Sequence, residues 1–394
     1  MRSLLLAVAL GLSAVASAQV LEVHAFNTSG HPAQAIWTPD GQHVLVTVTR
    51  VDPIQSGVEV FRVDRGKLKH IAFEPLGDER AQGIAIIPNT GLVAVGLSNA
   101  GVVFLALDKL LEGNADPRVL SQGDHPGSSF LAVTPKGDHL FVANETLHDG
   151  SVGIIAIRRD ARGQPVPQAI AQLPTPRATT AITLSPDSTR LYVLDQFLAK
   201  ELHERLPGFD TPELQHGNCF QTLGAPPNAN GGLFVIDTAK AASPPTDYSP
   251  QHERDATLSL LNAGCSPVRE VVSSDGHTVY VTARDDDSIL VFDASALEHN
   301  PAHAFISSMT TNGLAPVGLA LFDHDRKLLV ANSYQFTNVP GNATVIDLAD
   351  PTKPKFVQTI KTGAFPRDIT VSPDGRTLLL TVYLEDQLML LTMK

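Results

Sequence analysis

Seven times along the 394 residues the same short text returns: a proline or its equivalent, an apolar run, a tight turn and a second apolar run. The clearest copy is the last, FPRDITVSPDGRTLLLTVY from Phe365. Others begin at His31 (HPAQAIWTPDGQHVLVTV), Thr175 (TPRATTAITLSPDSTRLYVLD) and Ser266 (SPVREVVSSDGHTVYVTA). With the proline or its counterpart as marker, the copies start at 32, 81, 126, 176, 267, 316 and 366, in steps of 49, 45, 50, 91, 49 and 50. Pro-Asp-Gly and Ser-Asp-Gly supply the reversal between paired strands. Strands such as LLLTV and LFVAN are apolar without strict alternation, as expected where both faces of a sheet are covered. A third strand follows in each copy, for example GVEVFRV, SVGIIAI, SILVFDA and QLMLLTM.

That period suits a four-stranded blade. The chain is therefore expected to be an all-β, seven-bladed β-propeller with antiparallel blades. The 91-residue step holds no further strand–turn–strand copy, and its polar, Pro-rich text reads as an insertion at about 195–231. It falls between strands two and three of blade four. The last copy supplies three strands, and QVLEVHAF from Gln19 is one strand to spare. Added to the last blade, it would close the ring and remove an open edge. Residues 19–394 are then one domain.

The first 18 residues have a short basic start at Arg2, an apolar run from Leu4 to Val15, and Ala16-Ser17-Ala18. This is the form of a secretory signal peptide cleaved near Ala18. It predicts a periplasmic or secreted protein with no membrane insertion. Formal charge is −12, which disfavours nucleic acid as a partner. Cys219 and Cys265 are the two cysteines, and in an oxidising compartment an even count predicts a disulfide. The expected state is a monomer.

Repeats of the form P…SPDG…LYV…VIDT resemble the YVTN β-propeller repeat family, within the wider lactonase-like seven-bladed propellers. The marks are Ser185-Pro186-Asp187, Leu191-Tyr192-Val193, Val235-Ile236-Asp237-Thr238, Val279-Tyr280-Val281 and Ser372-Pro373-Asp374-Gly375. The resemblance covers nearly all of the chain after the leader. It implies the fold, and for function it admits both exported binding proteins and lactone hydrolases.

Loops that lead into strand one and loops that join strands two and three share one face, here the top face, around the axial channel. A ligand site is expected at that mouth. Cys219 in the insertion and Cys265 just before blade five both belong to it. So do Arg177, Arg269 and Arg367, each just after a marker proline, and Arg80 in blade two. A ring of guanidinium groups would attract a carboxylate, unless neighbours such as Asp368 and Glu270 neutralise it. The loops after strand two add Asn144, Glu145, His148, Asp195, Arg284, Asp285, Asn332, Tyr334, Tyr383 and Glu385, and the insertion adds Lys200, His203, Glu204 and Arg205.

Asp285-Asp286-Asp287 lacks the alternating ligands of a calcium loop and reads as a polar turn. No His-rich zinc pattern, C-x-x-C-H, G-x-S-x-G or P-loop is present. No metal and no cofactor is expected. The first functional reading is therefore a scaffold that binds a small anionic molecule or a protein on its top face. The alternative is lactone opening by Arg and carboxylate groups at the mouth.

Overall fold

The computed structural model describes residues 21–51, 53–115, 118–120, 127–146, 150–199, 202, 204–207, 211, 214, 219, 230–243, 255–334, 339–350 and 353–393. The leader, His148, Lys200 and His203 lie outside these. Seven four-stranded antiparallel sheets stand as blades about one axis, a seven-bladed β-propeller. Blades one to six span 31–77, 81–120, 128–175, 179–262, 267–310 and 316–364. Blade seven is built from Pro366–Val371, Thr377–Val382, Gln387–Met393 and, outermost, Leu21–Asn27. The expected closure is present: Leu21 lies opposite Met393 and Asn27 opposite Gln387. In blade four, strand two ends at Asp195 and strand three begins at Gly232, so the long step is an insertion and not an eighth blade.

The missing alternation in the strands has a direct cause. Each sheet packs on two neighbours, and the apolar side chains gather into seven clusters, one per junction. Ala35, Val44 and Val46 of blade one meet Leu379, Leu388 and Leu390 of blade seven. Equivalent clusters join blades one and two, two and three, and so on round the ring. Burial on both sheet faces is what removes residues from water here, and it is the largest favourable term in such a fold.

The repeated Ser/Thr-x-Asp text builds the hairpins. Ser372 donates to Asp374 at 2.6 Å and accepts the Thr377 amide at 3.0 Å, while Asp374 accepts the Arg376 amide at 3.1 Å. Thr38 with Asp40, Ser185 with Asp187, and Ser273 with Asp275 repeat these bonds. The hydroxyl holds each aspartate below the ordinary carboxylate range. The next residue is left-handed. Gly41, Gly276 and Gly375 adopt φ of +68°, +76° and +70°, and Ser188 takes the same place in blade four at +59°. A side chain is disfavoured there.

Hydroxyl groups tie blade to blade near the axis. Thr47 of blade one donates to the Gln82 carbonyl of blade two at 2.6 Å. Ser129, Thr180, Thr282 and Thr381 make the corresponding bonds from blades three, four, five and seven to the carbonyls of Thr179, Pro267, Val317 and Ala33. The other two junctions close by glycine. A Cβ on Gly83 would sit 2.6 Å from the Ser129 carbonyl oxygen, and one on Gly318 2.5 Å from that of Arg367. Thr47, Thr282 and Thr381 also accept the amides of Gln34, Arg269 and Asp368, at 3.1, 3.0 and 3.0 Å, where strand one bulges.

Two stability changes are expected. Thr282→Val leaves a buried amide without an acceptor and should cost about 1–3 kcal/mol in chemical denaturation, with Thr282→Ser recovering most of it. Ser188→Gly relieves a left-handed side chain and should stabilise by up to about 1 kcal/mol in the same assay.

Candidate functional site at the channel mouth

The three bulges held by Thr47, Thr282 and Thr381 fix the strand-one positions of Gln34, Arg269 and Asp368, nearest the axis. Blades two and six carry Gly83 and Gly318 at the matching position, blade four carries Ala181 and blade three carries Phe130. At this position the polar side chains thus come from three blades, and the other four carry glycine, alanine or phenylalanine.

Arg269 reaches past blade four. Its guanidinium lies over the Phe130 ring of blade three, 3.4 Å from the centroid, and Nη1 donates to the carbonyls of Thr180 and Val268. Its Nε is buried and has no hydrogen-bond partner. Burial lowers its pKa to about 10, and the charges of Asp368, Arg367, Glu145 and Glu270 all act on it. Arg367 reaches past blade one to blade two, where Nη2 donates to Gln82 Oε1 at 2.7 Å, and its guanidinium stands 5.1 Å from the Tyr383 ring centre. Tyr383 also packs on Phe365 and His31, with ring centres 5.6 and 4.8 Å away. Val268, Val317 and Phe365 form a buried apolar cluster against Tyr383 and Leu384. The mouth therefore has two guanidinium groups beside an aromatic and aliphatic wall.

Two carboxylates in strand one stand out. Burial pushes Asp368 up to about 6, although Arg269, Arg367, the Gln34 side chain and the Ala35 amide favour its charged form. Burial pushes Glu270 up to about 8, and Arg269 only partly offsets it. Neither makes a direct ion pair among the described residues.

The remaining sequence candidates divide by location. Glu145 is exposed above the mouth, and its charge reaches Arg269. Arg80 is exposed, and its carbonyl accepts the Ser98 amide. Asn144, Asp195 and Asn332, the last residues of strand two in three blades, are fully buried struts. Asn144 bonds Ser128 and Ser151, and Asn332 bonds Asn342 and Thr344. Asp195 accepts the Arg177 amide at 3.0 Å and the Thr179 hydroxyl at 2.9 Å, and burial raises it to about 7. Arg284 is mostly buried, with Nε 3.4 Å from Asp285 Oδ1. Arg269 and Arg367 share the mouth with Tyr383 and Glu145, whereas Arg177 is held through its backbone amide by Asp195 at the lead-in to blade four.

The triple aspartate is a structural turn. Asp285 accepts the Ser266 hydroxyl at 2.6 Å, Asp286 the Cys265 amide at 2.7 Å, and Asp287 the Ala315 amide at 2.7 Å. It thus supports the residue to which the insertion is bonded. Cys219 and Cys265 form the expected disulfide, with Cα atoms 5.2 Å apart. Leu214 of the insertion is buried in the cluster between blades four and five. A bonded pair of this kind is what an oxidising compartment favours. No described helix is long and apolar enough to cross a membrane.

Sequence reasoning named Asp368 and Glu270 only as neutralising neighbours and did not single out Gln34, Gln82 or Phe130. A signal for three of the channel positions was present: a threonine flanked by apolar residues in strand two, in VTV at 46–48, VTA at 281–283 and LTV at 380–382. Each marks a bulge that presents a residue to the axis.

No family model matches the chain, and no curated protein matches it. Solved structures do. A chain of the mitotic checkpoint complex aligns with a TM-score of 0.64 at 13% identity, over 99% of this chain and 98% of that one. The Cps50 (Swd1) β-propeller domain of Myceliophteria thermophila aligns at 0.62 and 11%, over 95% and 100%. Kuenenia stuttgartiensis hydrazine synthase aligns at 0.62 and 14%, over 93% and 97%. At these identities the likeness is one of fold.

The raised carboxylates predict a pH trend. Asp368, Asp195 and Glu270 hold protons in the folded state at pH values where the unfolded chain has released them. Their contribution is complete below about pH 4 and is lost as pH rises through about 6, 7 and 8 in turn. Stability should therefore fall between pH 5 and 8.5, each group adding a slope of up to about 1.4 kcal/mol per pH unit. Glu270→Gln should flatten the upper part of this curve in thermal melts from pH 6 to 8.5, relative to wild type.

Proposed function

We propose that this chain is an exported propeller of the YVTN type that captures a small anion at the mouth of its axial channel and acts by binding rather than by turnover. The pair Arg269 and Arg367 carries the reading. Both guanidinium groups stand at the mouth, and Arg269 Nε is buried and unpartnered. A buried donor left unmatched is costly, and a carboxylate offers the paired acceptors that a guanidinium fork fits. The form of residues 1–18 and the Cys219–Cys265 bond support export.

A protein partner on the same face is the second reading. Val51, Ile54, Leu314 and Val339 lie on top-face loops of blades one and six and are each about half exposed or more. A neighbour in fold is a chain of the mitotic checkpoint complex. Lactone opening has less support. Asp195 is fully buried and already accepts the Arg177 backbone amide and the Thr179 hydroxyl, whereas a general base must reach a water beside the oxyanion donors.

Calorimetric titration with acetate, benzoate and benzenesulfonate tests the proposal. Wild type should bind at least one of them, and Arg269→Gln/Arg367→Gln, checked for an intact melt, should bind about tenfold or more weakly. Turnover of a lactone panel that disappears in the double variant would instead establish the hydrolase. Silence toward every anion would turn the search to protein partners.

A further inference from the structure

Asp368 is a carboxylate already present where an anion would bind. Thr381 and the strand-one bulge fix its backbone, the residue is 7% exposed, and the charges of Arg269 and Arg367 both act on it. It nevertheless forms no direct ion pair with either among the described residues. At neutral pH Arg269 and Arg367 are balanced by Asp368 and Glu145, with Glu270 held neutral by burial. Neutralising Asp368 would leave the mouth with a net positive charge and only the exposed Glu145 as a carboxylate competitor.

We propose that Asp368 and an incoming anion compete for the same two guanidinium groups, so that the channel takes up one proton from solvent with each anion it binds. The anion is one with an apolar body, an aryl or short-alkyl carboxylate or sulfonate. Val268, Val317, Phe365 and Tyr383 supply the wall for that body, and the charged end meets Arg269 and Arg367. The inference rests on the anion reading above and adds the ligand class and its coupling to protons.

The surroundings of Asp368 support this assignment. From blade one come the Gln34 side chain and the Ala35 amide, from blade six the uncharged Gly318, and from its own blade Thr381 and Arg367. Other titratable groups on the adjoining elements are already engaged. His31 Nδ1 is 2.6 Å from Asp386 Oδ1, Glu385 accepts the Ala364 amide, Lys327 pairs with Asp323, and Asp347 accepts the Ala349 amide. A proton taken up on binding therefore has Asp368 as its acceptor. That carboxyl lies at about 6, within reach of ordinary buffers.

The test is calorimetry of the purified protein with benzenesulfonate, which stays ionised throughout, at pH 5, 6.5 and 8. Buffers of different ionisation heat give the proton count. Binding should be about tenfold or more tighter at pH 5 than at pH 8, with close to one proton taken up per anion near pH 7. Asp368→Asn should bind at pH 6.5 about as tightly as wild type does at pH 5, with no uptake at that pH, where burial still holds Glu270 neutral. His31→Gln should keep the uptake, and its loss there would overturn the assignment to Asp368. Equal affinity at every pH with no proton uptake would sink the competition and leave the anion reading standing. Absence of binding at pH 5 by wild type would sink both. The proton count needs only the wild-type chain, so it decides the matter even if Asp368→Asn fails to fold.

Discussion

A ring of seven twisted sheets is stable only if every blade meets two neighbours at a fixed distance from the axis. Apolar clusters at the seven junctions supply the energy, but they are non-directional and would tolerate some sliding. Near the axis the spacing is set by directional contacts: a hydroxyl onto the next blade's carbonyl at five junctions, and a glycine against the next backbone at two. Buried carbonyls and bulge amides are satisfied by the same atoms, so the contact that spaces the blades also removes a polar penalty. The N-terminal strand then finishes blade seven, covers the Gln387–Met393 strand and gives that blade the four strands of the others.

The candidate site follows from this arrangement. A threonine in strand two that accepts a bulge amide presents the bulged residue of strand one to the axis. In blades one, five and seven that residue is Gln34, Arg269 or Asp368. Glycine in blades two and six brings those blades against the backbone of the next, and Arg367 crosses from blade seven to Gln82 in blade two. Charge in so confined a place responds to burial more than to any single partner. Asp368 and Glu270 move up and Arg269 moves down although opposite charges lie nearby.

Blade four shows how a departure from the repeat is accommodated. The insertion leaves from Asp195, sends Leu214 into the junction with blade five, and is bonded through Cys219 to Cys265. Cys265 is in turn fixed by Asp286, within an aspartate triplet whose three carboxylates each hold a group at the lead-in to blade five or six. What reads in the sequence as a polar turn is a brace for the top face.

The chain's own text determined the number of blades, the position of the insertion, the closing strand and the cysteine pair. Each depends on local chemistry repeated at a fixed period: turn residues, apolar runs and a spare strand. The roles of individual polar residues were decided by tertiary structure. Asn144, Asp195 and Asn332 look like mouth residues because they follow strand two, yet full burial makes them struts. Arg177 and Arg269 occupy similar places after a proline, but the first gives its backbone amide to the buried Asp195 and the second extends its side chain over Phe130 two blades away. Where such a side chain comes to rest depends on partners far away in sequence, Phe130 for Arg269 and Gln82 for Arg367, and no local pattern carries that information.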